Sequence, residues 1–253
     1  MTARTTRKDA GPMIIAPPRY RSHLAQTAAD RNAVAALRHA AFFGGSGLDR
    51  DIWDDTSDHV MITDVETGAL ACTFRIAHLT DQGGFDRSYT GQRYDIAGLY
   101  GCNVLELGRF CTARGELDSD VLRLAWAQLT AVVAAKGVQT VIGCSSFKGA
   151  DPAAHAQAFQ LLFDRHMGPE DRRPSTKSTE TVALDTQASV CTKQATRSLP
   201  ELLRSYLRMG GWVGDHAVID REVDTLHVFT ALDVAQIPAG RLRTLHQLAQ
   251  SCA

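Results

Sequence analysis

No apolar run in this sequence approaches the roughly 18 residues that a membrane-spanning helix needs, so an integral membrane protein is not expected. Charge of one sign is missing too. The formal net charge is −1 over 253 residues, which points neither to nucleic acid nor to a strongly acidic partner. Arg4, Arg7 and Lys8 are not followed by an apolar core of signal-peptide length, so a cytoplasmic location is expected. The six cysteines, at 72, 102, 111, 144, 191 and 252, have neither CxxC nor CxxxC spacing. Several sit inside apolar runs, as reduced core thiols do, and no metal site is expected. What is present, 44% hydrophobic and 22% charged residues, is the composition of a globular protein long enough to bury a substantial core.

The informative stretch is Val104 to Thr112, VLELGRFCT. Its dense apolar run reads as an interior strand, yet Glu106 and Arg109 stand in the middle of it. Desolvating a carboxylate or a guanidinium is expensive unless it is paired, so interior strands seldom keep both without a use. Strand side chains alternate, and positions an odd number apart face opposite ways. Gly108 is a candidate bulge site, and one extra residue there brings both charges toward one face. This bulged strand is the expected floor of an active site. The same two residues equally serve as a structural ion pair holding the bulge.

Met1 to Pro18 is polar and proline-containing, an expected flexible tail before a single domain over residues 19–253. Val34, Leu37, Ala41 and Phe42 recur at helical spacing, stopped by Gly44 and Gly45; Arg38 and Phe42 share a face. An aspartate-rich loop with Trp53 follows. Val60 to Thr63 and Ala69 to Ile76 read as a hairpin around Glu66-Thr67-Gly68, with Arg75 closing the second strand. Asp81 to Gly101 is glycine-rich and loop-like, the kind of long segment that is often functional. After Thr112 a helix capped by Asp118 or Ser119 ends at Lys136-Gly137, and Val138 to Cys144 reads as a strand. Strand, helix, strand of this length is a βαβ crossover with parallel strands. A helix from Asp151-Pro152 to His166, a linker or lid over residues 170–198, a helix from Leu199 to Met209 and a strand from Thr225 to Leu232 complete the reading.

ELGRFC at 106–111 and GCSSFKGADP at 143–152 resemble the L-ornithine N(alpha)-acyltransferase family. That family belongs to the GNAT superfamily and is related to the acyl-homoserine-lactone synthases. Arg38 with Phe42, then Asp55, Asp58 and His59, then CTFR at 72–75, follow the family's order of motifs, and residues 199–222 match its C-terminal segment. The resemblance implies an α/β, GNAT-like fold: a central mixed twisted sheet with a splayed, bulged middle strand and helices on both faces. It implies transfer of a 3-hydroxy fatty acyl group from acyl carrier protein to the α-amine of ornithine, the first step of aminolipid biosynthesis. Glutamine is the alternative acceptor. No permanent cofactor is implied, the donor being the acyl-phosphopantetheine of the carrier. The thioester is expected to enter where the bulged strand parts from the next parallel strand. The superfamily's glycine-rich pyrophosphate loop is missing, since Ala113 to Asp118 holds only Gly115, and this favours a carrier-protein thioester over coenzyme A.

An amine attacks a thioester only as the free base. Glu106 is the expected proton acceptor, directly or through water, and N–H groups near Leu107 to Phe110 can hold the oxyanion. Arg109 can orient Glu106 or bind the acceptor's carboxylate, a task Arg75 could also perform. Asp55 and Asp58 are candidates for the acceptor's cationic groups, and Arg38, Phe42, Phe110, Ser145 and Ser146 for the rest of the substrate site. Asp55 and Asp58 also read as turn caps, Phe42 as packing, and Cys111 as an inert apolar thiol. Arg165, Arg172, Arg173, Lys177, Arg204 and Arg208 are the expected carrier-protein docking residues. Peripheral membrane contact is a further expectation for an enzyme releasing a lipid-like product. An acyl-homoserine-lactone synthase and a non-catalytic acyl-binding module are the competing readings.

Overall fold

The computed structural model describes residues 19–113 and 118–251; the expected tail at 1–18, the stretch holding Gly115 and Cys252 lie outside the described residues. Within them the chain begins β1 (Tyr20–Leu24), α1 (Ala28–Phe42), β2 (Asp58–Asp64), β3 (Leu70–Leu79), α2 (Gln82–Arg87), α3 (Tyr89–Arg93) and β4 (Tyr94–Asp95). Next come β5 (Val104–Thr112), α4 (Ser119–Lys136), β6 (Thr140–Lys148), α5 (Ala156–His166), β7 (Ser175–Thr176) and β8 (Thr181–Ala183). It ends with α6 (Thr192–Ser198), α7 (Glu201–Arg208), β9 (Trp212–Asp220), β10 (Thr225–Asp233) and α8 (Ala239–Ser251). One eight-stranded sheet has the order β1-β2-β3-β5-β6-β10-β9-β8. β5 and β6 run parallel, joined by α4. Their outer neighbours β3 and β10 are antiparallel to them.

Alternation along the strands divides the core into two faces. Val60, Ile62, Phe74, Leu105 and Leu107 pack on Leu124 and Leu129 of α4. Farther along the sheet, Phe147, Val213 and Val228 pack on Phe159 and Leu162 of α5 and Leu203 of α7. The opposite face buries Leu79, Val104, Ile142 and Phe229 against Phe85 of α2 and Leu99. Local chemistry fixes the helix ends. Thr27 and Asp30 close a capping box on α1, and Gly137, at φ +63°, ends α4 where an L side chain would be strained.

The bulge expected at Gly108 falls just beyond it. Arg75 pairs with Gly108 and Thr73 with Cys111, so β5 carries one residue more than β3 across that interval. Arg109 takes the left-handed conformation there, at φ +52°. Pairing between β5 and β6 stops at Leu107 and Gly143, after which the two strands part.

Residues 81–101, expected as loop, contain α2 and α3. Each begins at a side-chain cap, Asp81 accepting the Gly84 N–H and Ser88 the Gly91 N–H, and each is too short to show a helical period. Residues 170–198, expected as a linker or lid, contain β7, β8 and α6, with Leu184 and Ala195 in the core. β8 is the last strand of the sheet.

Candidate active site

The face of the sheet that carries Arg75 and Glu106 bears two polar clusters beside its apolar one. The first joins α1, β3, the bulge and the loop before β2. Asp49 is anchored by its N–H to the Ala35 carbonyl at 3.0 Å. The Asp51 N–H reaches the Asp54 carboxylate at 3.0 Å, and the Trp53 N–H reaches Asp51. The loop thereby aims three carboxylates at three guanidinium groups. Arg38 binds Asp49 at 2.8 Å and Asp54 at 2.5 Å. Arg75 binds Asp51 at 2.5 Å and Asp54 at 2.9 Å, and Arg109 binds Asp51 at 3.2 Å. The Arg38 and Arg75 side chains are 1% and 3% exposed, so neither charge is tolerable without these partners.

The ionisation states follow from this geometry. Burial pulls Arg38 down, but hydrogen bonds and charge from Asp54 and Asp49 leave it above its ordinary value. Burial likewise pushes the Asp54 carboxyl up, and Arg38, the Asp51 N–H and Arg75 together bring it below the usual carboxylate value. His59, 3.8 Å from Asp54, is held below the ordinary imidazole value chiefly by burial. Burial thus favours its neutral form.

The second cluster surrounds Glu106, which is 4% exposed. The Thr90 N–H donates to one carboxylate oxygen at 2.6 Å and the Tyr89 N–H to the other at 3.3 Å. Two main-chain donors thus fix the carboxylate one residue before β5 and β6 part. Trp53 links the clusters: the Arg75 guanidinium lies 5.6 Å from its ring and Tyr89 meets it edge-on at 5.2 Å. The Cys144 thiol is pushed up by burial and by the charge of Glu106. The Cys111 thiol is pushed up to about 12 by burial, so neither is a thiolate nucleophile at neutral pH. Beside the bulge, Leu37, Ala41 and Phe42 of α1 face Phe110 to Ala113 across a cleft of about 360 Å³. Arg109 lies 5.5 Å from the Phe42 ring, and Phe110 stacks on Phe74.

Buried charge at a strand bulge, a fixed carboxylate and strands that part beyond it suit a site where an extended substrate enters the sheet. The acetyltransferase (GNAT) domain model matches residues 31–127, which contain both clusters. The fold is GNAT-like, and the chain is an acyltransferase. It is 29% identical over 239 residues to the L-ornithine N(alpha)-acyltransferase of Rhodobacter capsulatus, covering 87% of this chain and 92% of that protein. With the protein of the same name from Brucella abortus it shares 28% identity over 236 residues, 85% and 84% of the two chains. Among solved structures, TofI in an apo form aligns with 90% of this chain and 98% of its own at 15% identity, with a TM-score of 0.49.

In this acyltransferase Glu106 and Arg109 do share a face, but they are not a pair: Arg109 turns to Asp51 and Glu106 to main-chain N–H groups. Asp55 and Asp58 are exposed and lie outside the arginine cluster. The carboxylates that meet the arginines are Asp49, Asp51 and Asp54, because the 3₁₀ turn Asp54–Thr56 puts Asp54 inward and its neighbour outward. Ser145 and Ser146 point to opposite faces. Ser145 is buried and accepts from the Thr230 hydroxyl at 2.9 Å, whereas Ser146 is exposed on the Glu106 face.

The basic residues expected at a docking surface are divided. Arg172 is bound to Asp233 at 2.7 Å and lies over the Trp212 ring, and Lys177 donates to the Gly91 carbonyl at 2.6 Å. Arg165 and Arg208 are exposed, while Arg173 and Arg204 are half-buried. Tyr89, Thr90 and Trp53 belong to this candidate site although the sequence did not single them out; only Trp53 carried a signal, as a large aromatic inside the aspartate-rich loop.

Proposed function

We propose that this acyltransferase moves a fatty acyl group from the thioester of an acyl carrier protein to the α-amine of ornithine, giving a lyso-aminolipid. The observation that carries the reading is the Glu106 carboxylate, oriented by the Tyr89 and Thr90 N–H groups where β5 and β6 separate. The name shared by the curated relatives supports ornithine as the acceptor. Beyond Leu107, β5 has no β6 partner, so that edge can receive an extended thioester arm in place of a strand. The acceptor's α-ammonium loses a proton to Glu106, directly or through one water. The free amine forms the C–N bond, and the oxygen that gains charge is held by N–H groups freed at the bulge, worth roughly 3 kcal/mol per donor. The C–S bond then breaks and the carrier's thiol leaves with a proton. Arg109, 22% exposed and tied to Asp51, holds the bulge open beside the α1 cleft, which suits an acyl chain.

A reconstituted assay tests this: purified protein, 3-hydroxyacyl carrier protein, and ornithine or glutamine in parallel, with products read by mass spectrometry. Acyl-ornithine is the expected product. Acyl-glutamine alone would reassign the acceptor, and a lactone formed from S-adenosylmethionine would reassign the enzyme. Absence of any acylated amino acid would overturn the reading in favour of an acyl-binding module. Co-sedimentation with lipid vesicles checks the expected peripheral membrane contact.

A further inference from the structure

The acceptor of such a reaction brings its own charges; in the first cluster Arg38 and Arg75 are buried against aspartates, and the more open Arg109 is tied to Asp51. A freer guanidinium stands on the Glu106 side. Arg93 is the last residue of α3, one helical turn after the two residues whose N–H groups hold Glu106. Its side chain is 36% exposed and its guanidinium lies 5.4 Å from the Tyr89 ring. The nearest carboxylate is Asp220, at the end of β9, 4.0 Å away and beyond hydrogen-bond distance.

Asp220 is the more telling of the two. Its side chain is only 12% exposed. Among the described residues Arg93 is its one ion-pair partner, and no donor lies within hydrogen-bond distance of its carboxylate. A half-enclosed carboxylate left this way is costly unless something else satisfies it. His227, on the neighbouring strand β10, adds a second open group: its ring lies 6.2 Å from Tyr89, and its buried Nε2 has no hydrogen-bond partner among the described residues. A guanidinium and a carboxylate held near each other but not joined match a ligand carrying both opposite charges.

We propose that Arg93 and Asp220 form the acceptor-recognition subsite, Arg93 taking the α-carboxylate and Asp220 the side-chain ammonium of a diamino acid. This rests on the N-acyl transfer reading above and goes further by naming what selects the acceptor. The α-amine is then left to face Glu106. A neutral side-chain amide leaves the Asp220 charge unpaired, and a site built for a charged group rejects the analogue lacking it far more strongly than a merely apolar pocket does.

The test compares ornithine with norvaline, which has the same carbon skeleton without the ammonium, using 3-hydroxyacyl carrier protein as donor. The wild type is expected to favour ornithine by about 100-fold in kcat/KM, the scale set by losing one partner of a desolvated charge pair. Asp220→Asn reduces that ratio to within about threefold, mainly through KM for ornithine, and Asp220→Glu restores part of it. Arg93→Gln raises KM for both amino acids, and the penalty shrinks for ornithinamide, whose carboxylate is neutralised. Binding of the acyl carrier protein to each variant reports whether the fold is intact. Equal losses for ornithine and norvaline in Asp220→Asn, or a wild type indifferent to the ammonium, would overturn the subsite. A wild type that acylates no amino acid would instead overturn the reading on which it rests.

Discussion

Glu106 owes its orientation to two main-chain donors rather than to a side-chain partner, which lets charge be separated from shape. In Glu106→Gln the amide oxygen still accepts one of these N–H groups, but the amide cannot take a proton from an amine. Acyl transfer is expected to fall about 100-fold or more, with a loss of stability smaller than in an alanine variant because only one N–H group loses its acceptor. Glu106→Ala leaves both buried N–H groups unpaired and should lower stability by about 1–3 kcal/mol in urea unfolding. Arg109 poses a different problem, because its φ of +52° is one that L side chains resist. Arg109→Gly and Arg109→Ala both remove the guanidinium, but only alanine retains the backbone strain. The glycine variant is therefore expected to be the more stable by about 1 kcal/mol, measured by denaturant titration.

At the scale of elements, the parting of β5 and β6 depends on how closely they meet just before it. A Cβ on Gly143 would stand 2.4 Å from the Leu107 carbonyl oxygen, a contact with backbone that no rotamer relieves. Gly143→Ala should force the strands apart at their last pair, lower stability by about 1–3 kcal/mol and move Glu106 relative to the gap. Thermal melting reads the first effect. The second appears as a fall in kcat larger than the change in KM, because the carboxylate rather than the binding surface is displaced. The loop from Asp49 to Asp54 is an element in the same sense: it has little regular structure, and its carboxylates hold α1 to β3.

For the whole molecule, buried ionisable groups set the acid limb of stability. Stability rises with pH wherever the unfolded chain binds more protons than the folded one. His227 is held down to about 4, first by burial and then by the charge of Arg93, against an ordinary value of 6.5. Between those values the unfolded chain takes up a proton that the folded chain does not, so this contribution is whole above pH 6.5 and is lost as pH falls toward 4. His59 acts in the same direction. Asp54, held below its ordinary 3.8, contributes above that pH and loses its contribution below it. Urea unfolding between pH 7 and pH 3 should show a midpoint that begins to fall below about 6.5. His227→Gln should make the limb above pH 4 shallower, keeping the share of His59, and leave the part below pH 4 unchanged.

Much of this was legible in residues. Glu106 and Arg109 stood out because charge in a dense apolar run has few structural uses, and Gly108 placed the irregularity to within a residue. The hairpin, α1, α4 and the β5-α4-β6 crossover followed from side-chain period and end signals, which are local. The periods failed where elements were short or polar: α2, α3, β1 and β8 span too few residues to display one. The sequence by itself determined the element types around the bulge, the presence of an aspartate-rich loop and the resemblance that implied acyl transfer. Only the tertiary structure decided which aspartates face the arginines, that Arg109 binds Asp51 rather than Glu106, and that Arg93 and Asp220, 127 residues apart in the chain, come within 4.0 Å. The reason is physical: period and capping act over a few residues, whereas ion pairing depends on which distant segments the sheet order brings together.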